Sequence, residues 1–564
     1  MSDIMKGMSF EKLIRQSISE YRLKKSIFDV KAIAVNDGKK TFKFCNGKLE
    51  SPLGIAAGPH TQLAQNLVAC YAGGARFLEL KTVQILYGDD LGIPRPCIRA
   101  SDEGYNVEWS SEYSTKEAMN EYIKAWVATK VIAKEFALGD PEGFEYNMSV
   151  GYNLEGIKSK AVDDFLNGLT DASEIECFKE CKQYLLDNLD LFENVDREYV
   201  ESIPANIAKS VSLSTMHGCP ADEIEAIATY LIEEKKFNTF VKCNPTLLGY
   251  DYVRNILNDM GYDYIYIDNH QFEVDLKLDQ AVKMINTLIE KAGRVGVVFG
   301  VKLSNTMPVE IKEEELPGNT MYMSGKSLYP LTISLARLLT QKIGDKLEIS
   351  YSGGADKNNI RDIFAAGIYP ITICTTLLQP SGYEKIKPLH DLLLKEEYPK
   401  ERKLHLDKLE NLVEGLRTNK NYCKSPAQRK KTDEHIDYRG VSERDNLKCR
   451  VLCQNCIKVC PNRANTFVET PEGKWILHID DACNECGNCQ FSCVQPCHPF
   501  RDRFTLFSSK EMMQKSENKG VAFVDNRFYV RLEKDIEEYQ YNELPKFAKE
   551  VVDSIRKTHL YLVE

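Results

Sequence analysis

The stretch LEISYSGGADKNNIRDIFAAGIYPITICTT, residues 347–376, sets an apolar strand, the pair Gly353-Gly354, a helix start and a second apolar strand closed by Thr375-Thr376. Two glycines ahead of a helix, with hydroxyls on the neighbouring strand, suit a phosphate held by backbone N–H groups. The same alternation extends outward over about residues 51–395. Strand-like segments are LGIAAG (53–58), FLELKTV (77–83), YNMSVGY (146–152), SVSLSTM (210–216), TFVKCNP (239–245), YDYIYID (262–268) and VGVVFGVKL (295–303), together with 347–354 and 370–376. Helical stretches separate them; ADEIEAIATYLIEEKK places Ile224, Ile227 and Leu231 on one face. Such repeats predict an α/β protein built on a (β/α)8 TIM barrel, not a doubly wound sheet. Nine candidate strands for eight places make one of them an insertion.

Barrel chemistry sits where strands end. Here Ala57-Gly58 ends the first strand and Lys81-Thr82 the second, and Asn153 follows the third. The loop Ser214-Thr215-Met216-His217-Gly218-Cys219-Pro220 follows the fourth. Lys242 and Asn244 lie on the next segment, and Lys302, Asn305 and Thr306 on a later one. A lysine aimed at the N1–C2=O edge of a flavin stabilises its anionic reduced ring. Taken singly, each feature is an ordinary turn or surface charge; their joint order is what points to a flavin site.

Nine of the 18 cysteines crowd between Cys449 and Cys497. The first run is Cys449-x3-Cys453-x2-Cys456-x3-Cys460-Pro461, and the second is Cys483-x2-Cys486-x2-Cys489-x3-Cys493. This is the spacing of a two-cluster ferredoxin, in which the fourth cysteine of each run ligates the other cluster. On that rule Cys449, Cys453, Cys456 and Cys493 hold one 4Fe–4S cluster. Cys483, Cys486, Cys489 and Cys460 hold the second. The first run has one extra residue in its opening gap, and Val494 stands in place of the usual proline in the second. Paired zinc sites would show two CxxC knuckles with a longer spacer. Cys497 has no slot in either set; it is a packed thiol or a substitute for Cys493.

PLGIAAGP, FLELKT, SLSTMHG, FVKCNP, MSGKSLYP, YSGG and ICTT resemble the FMN barrels of dihydroorotate and dihydropyrimidine dehydrogenases. Across nearly the whole chain the likeness is to the family that carries the name selenate reductase, through AAGPHTQLAQN, NMSVGYNLEGIK, LSTMHGCP, VKCNPTLLGY, GNTMYMSG, CPNRAN and CNECGNC. The resemblance implies a cap (1–50), an FMN barrel (51–395), a helical linker (396–445), a ferredoxin-like domain with two 4Fe–4S clusters (446–504) and a C-terminal extension (505–564). It assigns flavin contacts to Ala57, Gly58, Lys81, Thr82, Gly353, Gly354, Thr375 and Thr376, with either Lys242 or Lys302 as second flavin lysine. It assigns substrate contacts to Asn153, Asn305 and Thr306. Ser212 replaces an asparagine that binds substrate in dihydropyrimidine dehydrogenase, so the ligand should differ from uracil. The proton-donating cysteine of that enzyme matches Thr215, which leaves Thr215, Cys219 and His217 as candidate acids.

Longer members of that family carry a FAD- and NAD(P)H-binding section between barrel and ferredoxin. Here that interval is a charged linker, and no GxGxxG segment occurs. The expectation is electron delivery from a partner flavoprotein in a hetero-oligomer, through the clusters to FMN, for reduction of a purine- or pyrimidine-type ring. Reduction of selenate or another oxyanion, and a non-catalytic electron-transfer role, are the alternatives. The net charge of -10 excludes a broad field for nucleic acid or membrane. No apolar run reaches the ~18 residues of a span, and the N-terminus has no signal-peptide core, so a cytoplasmic location is expected.

Overall fold

The computed structural model describes residues 5–45, 47–108, 110–214, 217–426, 447–559 and 562. Eight parallel strands close into a barrel: β1 Leu53–Ile55, β2 Phe77–Glu79, β3 Glu145–Val150, β4 Ala208–Leu213, β5 Asn238–Cys243, β6 Phe299–Leu303, β7 Glu348–Ser352 and β8 Ile371–Ile373. Their near-continuous burial follows from having side chains inside the barrel and helices outside. The helix begun at Ala221 buries Ile224, Ile227 and Leu231, as its spacing predicts. An antiparallel hairpin, Phe42–Phe44 with Gly47–Leu49, plugs the amino-terminal mouth, where the Phe44 ring packs on Phe77 and Phe240.

The ninth strand candidate, 262–268, is not a strand. β5 and β6 pair directly, with Lys242 opposite Lys302, so no slot exists between them. The segment's apolar side chains pack in another way: Tyr262 is buried with its O–H donated to the carbonyl of Tyr422, and Ile265 is buried beside it. It leads into the short helix Asn269–Val274 and then the long helix Leu278–Val295.

A four-stranded antiparallel sheet roofs the carboxyl-terminal mouth. Its members come from two excursions, Ile98–Ala100 and Glu103–Asn106 after β2, and Met307–Glu310 and Thr320–Gly325 after β6. Tyr322 pairs with Asn106 across more than two hundred residues of chain. Within the stretch expected to be a linker, Leu406–Glu414 is a helix, and its remainder from 427 lies outside the described residues. Beyond it, two short helices, Asn455–Lys458 and Asn488–Phe491, accompany a six-stranded sheet spanning Asn465 to Tyr539, and the helix Lys546–Thr558 packs on that sheet. Among the described residues no helix is long and apolar enough to cross a membrane.

Candidate active site

Every barrel strand sends residues from its carboxyl end into one cavity of about 550 Å³ beneath the roof. Ala57 and Gly58 come from β1, Lys81 and Thr82 from β2, Gly151 from β3, Ser214 and His217 from β4, and Lys242 from β5. Asn305 and Thr306 follow β6, Gly353 and Gly354 follow β7, and Thr375 and Thr376 follow β8. The roof adds Ile98, Tyr105, Asn106, Tyr322 and Ser324.

One end of this cavity is shaped by close approach of backbone. Gly354 has φ +68°, and a Cβ there would stand 2.3 Å from the carbonyl oxygen of Gly325. A Cβ on Gly353 would meet Thr332 Oγ1 at 2.2 Å. Hydroxyls gather beside the glycines: Thr375 Oγ1 and Ser324 Oγ are 2.8 Å apart, and Thr376 Oγ1 donates to the Ala355 carbonyl at 2.8 Å.

The two candidate lysines differ in depth. Lys242 lines the cavity. Lys302, 1% exposed, lies in the barrel interior, donating to Thr372 Oγ1 at 2.8 Å and facing Glu79 Oε2 at 3.3 Å. Burial lowers its pKa to about 8. Burial raises the Glu79 pKa, but Lys302, Lys242 and the Ala57 N–H outweigh it and hold that carboxyl at about 2. On the cavity wall Lys81 donates to Glu108 Oε1 at 2.5 Å, so its charge is neutralised in place.

Three expected contacts stand elsewhere. Asn153 caps the helix Leu154–Ile157, its Oδ1 accepting from the Gly156 N–H at 2.9 Å, and faces a separate shallow depression. Asparagine after a strand is as good an N-cap as a ligand contact, and here the cap won. Ser212 is buried within the barrel wall, accepting from Asn147 Nδ2 at 2.9 Å. Cys219 is half-buried outside the cavity; burial and neighbouring Glu223 push its thiol up to about 12. Thr215 lies outside the described residues.

Among the described residues, His217 is the candidate acid that lines the cavity. Its Nδ1 lies 2.9 Å from Asp275 Oδ2, and its Nε2 is buried without a hydrogen-bond partner. Asp275 was not legible in the sequence, because nothing local marks a carboxylate whose partner is 58 residues away. Asn305 Nδ2 donates to Asn244 Oδ1 at 3.1 Å, and Asn244 Nδ2 lies 3.1 Å from Asp275 Oδ2. A chain of polar groups therefore runs from one cavity residue to the other.

A second, smaller pocket is walled by Cys460, Cys483, Cys486 and Cys489. Backbone N–H groups point at two of its sulfurs, Ala464 N to Cys460 at 3.2 Å and Glu485 N to Cys483 at 3.3 Å. The other four expected ligands form another neighbourhood: burial pushes the Cys456 thiol up to about 12, with Cys493, Cys449 and Cys453 also raising it. Cys497 is buried with its thiol against Cys493. The four-cysteine pocket abuts the barrel. Cys486 O accepts from the N–H groups of Cys97 and Ile98 at 3.0 and 2.9 Å, and Cys486 packs in one apolar cluster with Ile98 and Leu378. Both Ile98 and Leu378 also line the barrel cavity.

The family model described as "Oxidoreductase YgfK, N-terminal TIM-barrel domain" matches residues 28–424. The chain belongs to this oxidoreductase family. Two relatives named "Putative oxidoreductase YgfK", from Escherichia coli K12 and Escherichia coli O157:H7, are each 45% identical to it over 400 residues, 68% of this chain. The chain spans only 39% of the length of those curated relatives. The expected oxidoreductase barrel is thus shown, while the name selenate reductase is not the one these matches carry. DHODH from Eimeria tenella, solved in complex with ferulenol, is similar with a TM-score of 0.38 and 14% identity over 63% of this chain and 83% of its own, too distant to bear on function.

Proposed function

We propose that this chain is an FMN- and iron–sulfur-dependent oxidoreductase that reduces a purine- or pyrimidine-type ring, with electrons entering from a partner flavoprotein through two 4Fe–4S clusters. The observation that carries the reading is the contact between the two pockets: Ile98 and Leu378 wall the barrel cavity on one side and pack on Cys486 on the other.

The donor sets suit the groups invoked. Gly353, Gly354, Thr375 and Thr376 offer the tight backbone and hydroxyls that a phosphate needs, and Lys242 supplies a cation on the cavity wall for a flavin ring. FMN, when bound, supplies a hydride at N5. The four-cysteine pocket and the Cys449, Cys453, Cys456 and Cys493 neighbourhood follow the two-cluster ligand pattern. Among the described residues no group of three or more His, Cys, Asp or Glu converges as for one metal ion. That is compatible with a cube of four irons, which seats each thiolate on its own iron and so keeps the sulfurs farther apart.

The protein side chains then have distinct tasks. Asn305, Asn106 and Tyr322 present amide and hydroxyl groups to a lactam edge, His217 holds a proton at Nε2, and the roof excludes water. Because Glu108 neutralises Lys81, the cavity does not have the concentrated positive charge that would favour an oxyanion substrate. A reducing cytoplasm suits the thiols that lie outside the two proposed cluster sets.

The test is anaerobic purification with flavin, iron and sulfide measured together, followed by assay of oxopurines and oxopyrimidines with a strong reductant. One FMN and about eight irons per chain, with turnover of such a ring, is the expected result. Loaded protein that leaves every such ring unchanged would refute the substrate class. Eight irons without flavin would make the chain an electron conduit.

A further inference from the structure

We propose that Asp275 is a positioning residue that fixes the tautomer of His217, so that Nε2 faces the cavity as the proton donor to the reduced ring. The inference rests on the reading of the cavity as a ring-reducing site, but its structural half stands apart from it.

Asp275 ends the short helix Asn269–Val274, in the excursion between β5 and β6. It is 3% exposed and accepts from every side. Oδ2 takes His217 Nδ1 at 2.9 Å, Thr246 Oγ1 at 2.8 Å and Asn244 Nδ2 at 3.1 Å; Oδ1 takes the Gly218 N–H at 2.7 Å and Gln271 Nε2 at 3.0 Å. Burial disfavours its charge, but the hydrogen bonds from His217, Thr246 and Gly218 prevail and hold the carboxyl at about 2. An ionised carboxylate can only accept, so the hydrogen must sit on Nδ1 of His217. Asn244 Nδ2 is also 3.2 Å from that nitrogen, but with Nδ1 protonated the amide donates to the carboxylate instead.

Two anchors thus act on the same loop. The carboxylate holds the Gly218 backbone through Oδ1 and the His217 ring through Oδ2, and the Tyr322 ring stacks on the imidazole at 6.3 Å and 18°. What remains is Nε2, buried and unpartnered in a cavity wall. Buried polar atoms in folded proteins are rarely left open unless something meets them. The charged groups sharing the space are Asp275 beside the ring, Lys242 on the adjoining strand and the neutralised Lys81–Glu108 pair.

In the proton step, a new ring–H bond forms beside the carbon that has taken the hydride equivalent of the proposed flavin, as the Nε2–H bond of imidazolium breaks. The bonding pair stays on Nε2, which leaves neutral His217 with Nδ1–H still on Asp275. Water returns the proton once product has left. With the opposite tautomer, Nε2 would keep its hydrogen in the neutral form and could not be reloaded there.

The test uses the holoenzyme with 15N-imidazole-labelled histidine, the His217 signals being assigned by their loss in His217→Gln. Wild type is expected to show the Nδ1–H tautomer when neutral. Asp275→Asn, whose amide can donate to Nδ1, should move that hydrogen to Nε2. The same variant should lose on the order of 100-fold in kcat with KM nearly unchanged, and Asp275→Glu should recover the tautomer and part of the rate. An unprotonated Nδ1 in wild type, or Asp275→Asn turning over at the wild-type rate, overturns the proposal. If wild type reduces no ring, the reading of the cavity fails, and the NMR signal alone still decides whether Asp275 sets the tautomer.

Discussion

Ile98 donates its backbone N–H to the carbonyl of Cys486 at 2.9 Å while its side chain lines the barrel cavity. One residue therefore touches both pockets, and it links the Cys486 set to the barrel cavity.

Cys486→Ser should lower iron from about eight to about four per chain, leaving the other set filled. Flavin in this variant should stay reducible by light while its reduction by a donor protein slows at least about tenfold. Iron assay and stopped-flow absorbance would check this, and full-speed reduction would remove Cys486 from the electron route.

The two interior-facing lysines should behave differently. Lys242→Met is expected to make the flavin harder to reduce, by on the order of 30–60 mV for two electrons, read by spectroelectrochemistry. Lys302→Met removes the ion pair that Glu79 makes in the barrel interior and should cost about 3–5 kcal/mol of stability in denaturant.

Acid stability should report Glu79. Its carboxyl stands at about 2 in the folded chain against the ordinary 4.5, so its contribution, about 3 kcal/mol, is present above pH 4.5. It is lost as pH falls through about 2. The stability gap between wild type and Glu79→Gln should therefore narrow across that window. Lys302 acts oppositely at the alkaline end: lowered to about 8 from 10.5, it disfavours folding while charged, and that penalty eases between those values. Denaturant melts at a series of pH values would show both.

Gly354→Ala places a side chain at φ +68° and 2.3 Å from the Gly325 carbonyl oxygen. The backbone must shift at a cost of about 1–3 kcal/mol, and the expected outcome is protein that folds but retains little FMN. Flavin titration by fluorescence quenching would measure the loss.

Cys219→Ser should leave turnover within about twofold of wild type, because its thiol lies outside the cavity and is pushed up to about 12 by burial and Glu223. A collapse of activity would return Cys219 to the list of acids.

The barrel was readable because its strands are short apolar runs, most of them followed by a glycine or by a polar residue of functional type. The same rule misled at 262–268, where alternating tyrosine and isoleucine read as a strand although the buried Tyr262 and Ile265 pack an irregular segment. Strand-end position identified Lys81, Lys242, Asn305 and the two glycine–threonine clusters as cavity residues. It could not tell Asn153 the cap from Asn153 the ligand contact, since an asparagine oxygen serves either. Asp275 stayed hidden because a carboxylate's meaning depends on what the chain folds against it, and that is fixed by the misread segment leading to it.

The roof is stitched from two excursions more than two hundred residues apart, joined where Tyr322 pairs with Asn106. The strand at its edge, beginning at Ile98, is also the shelf on which Cys486 rests. On the proposed electron route, a molecule that displaced the roof on entering would also displace the strand on which Cys486 rests, and with it the span between cluster and flavin.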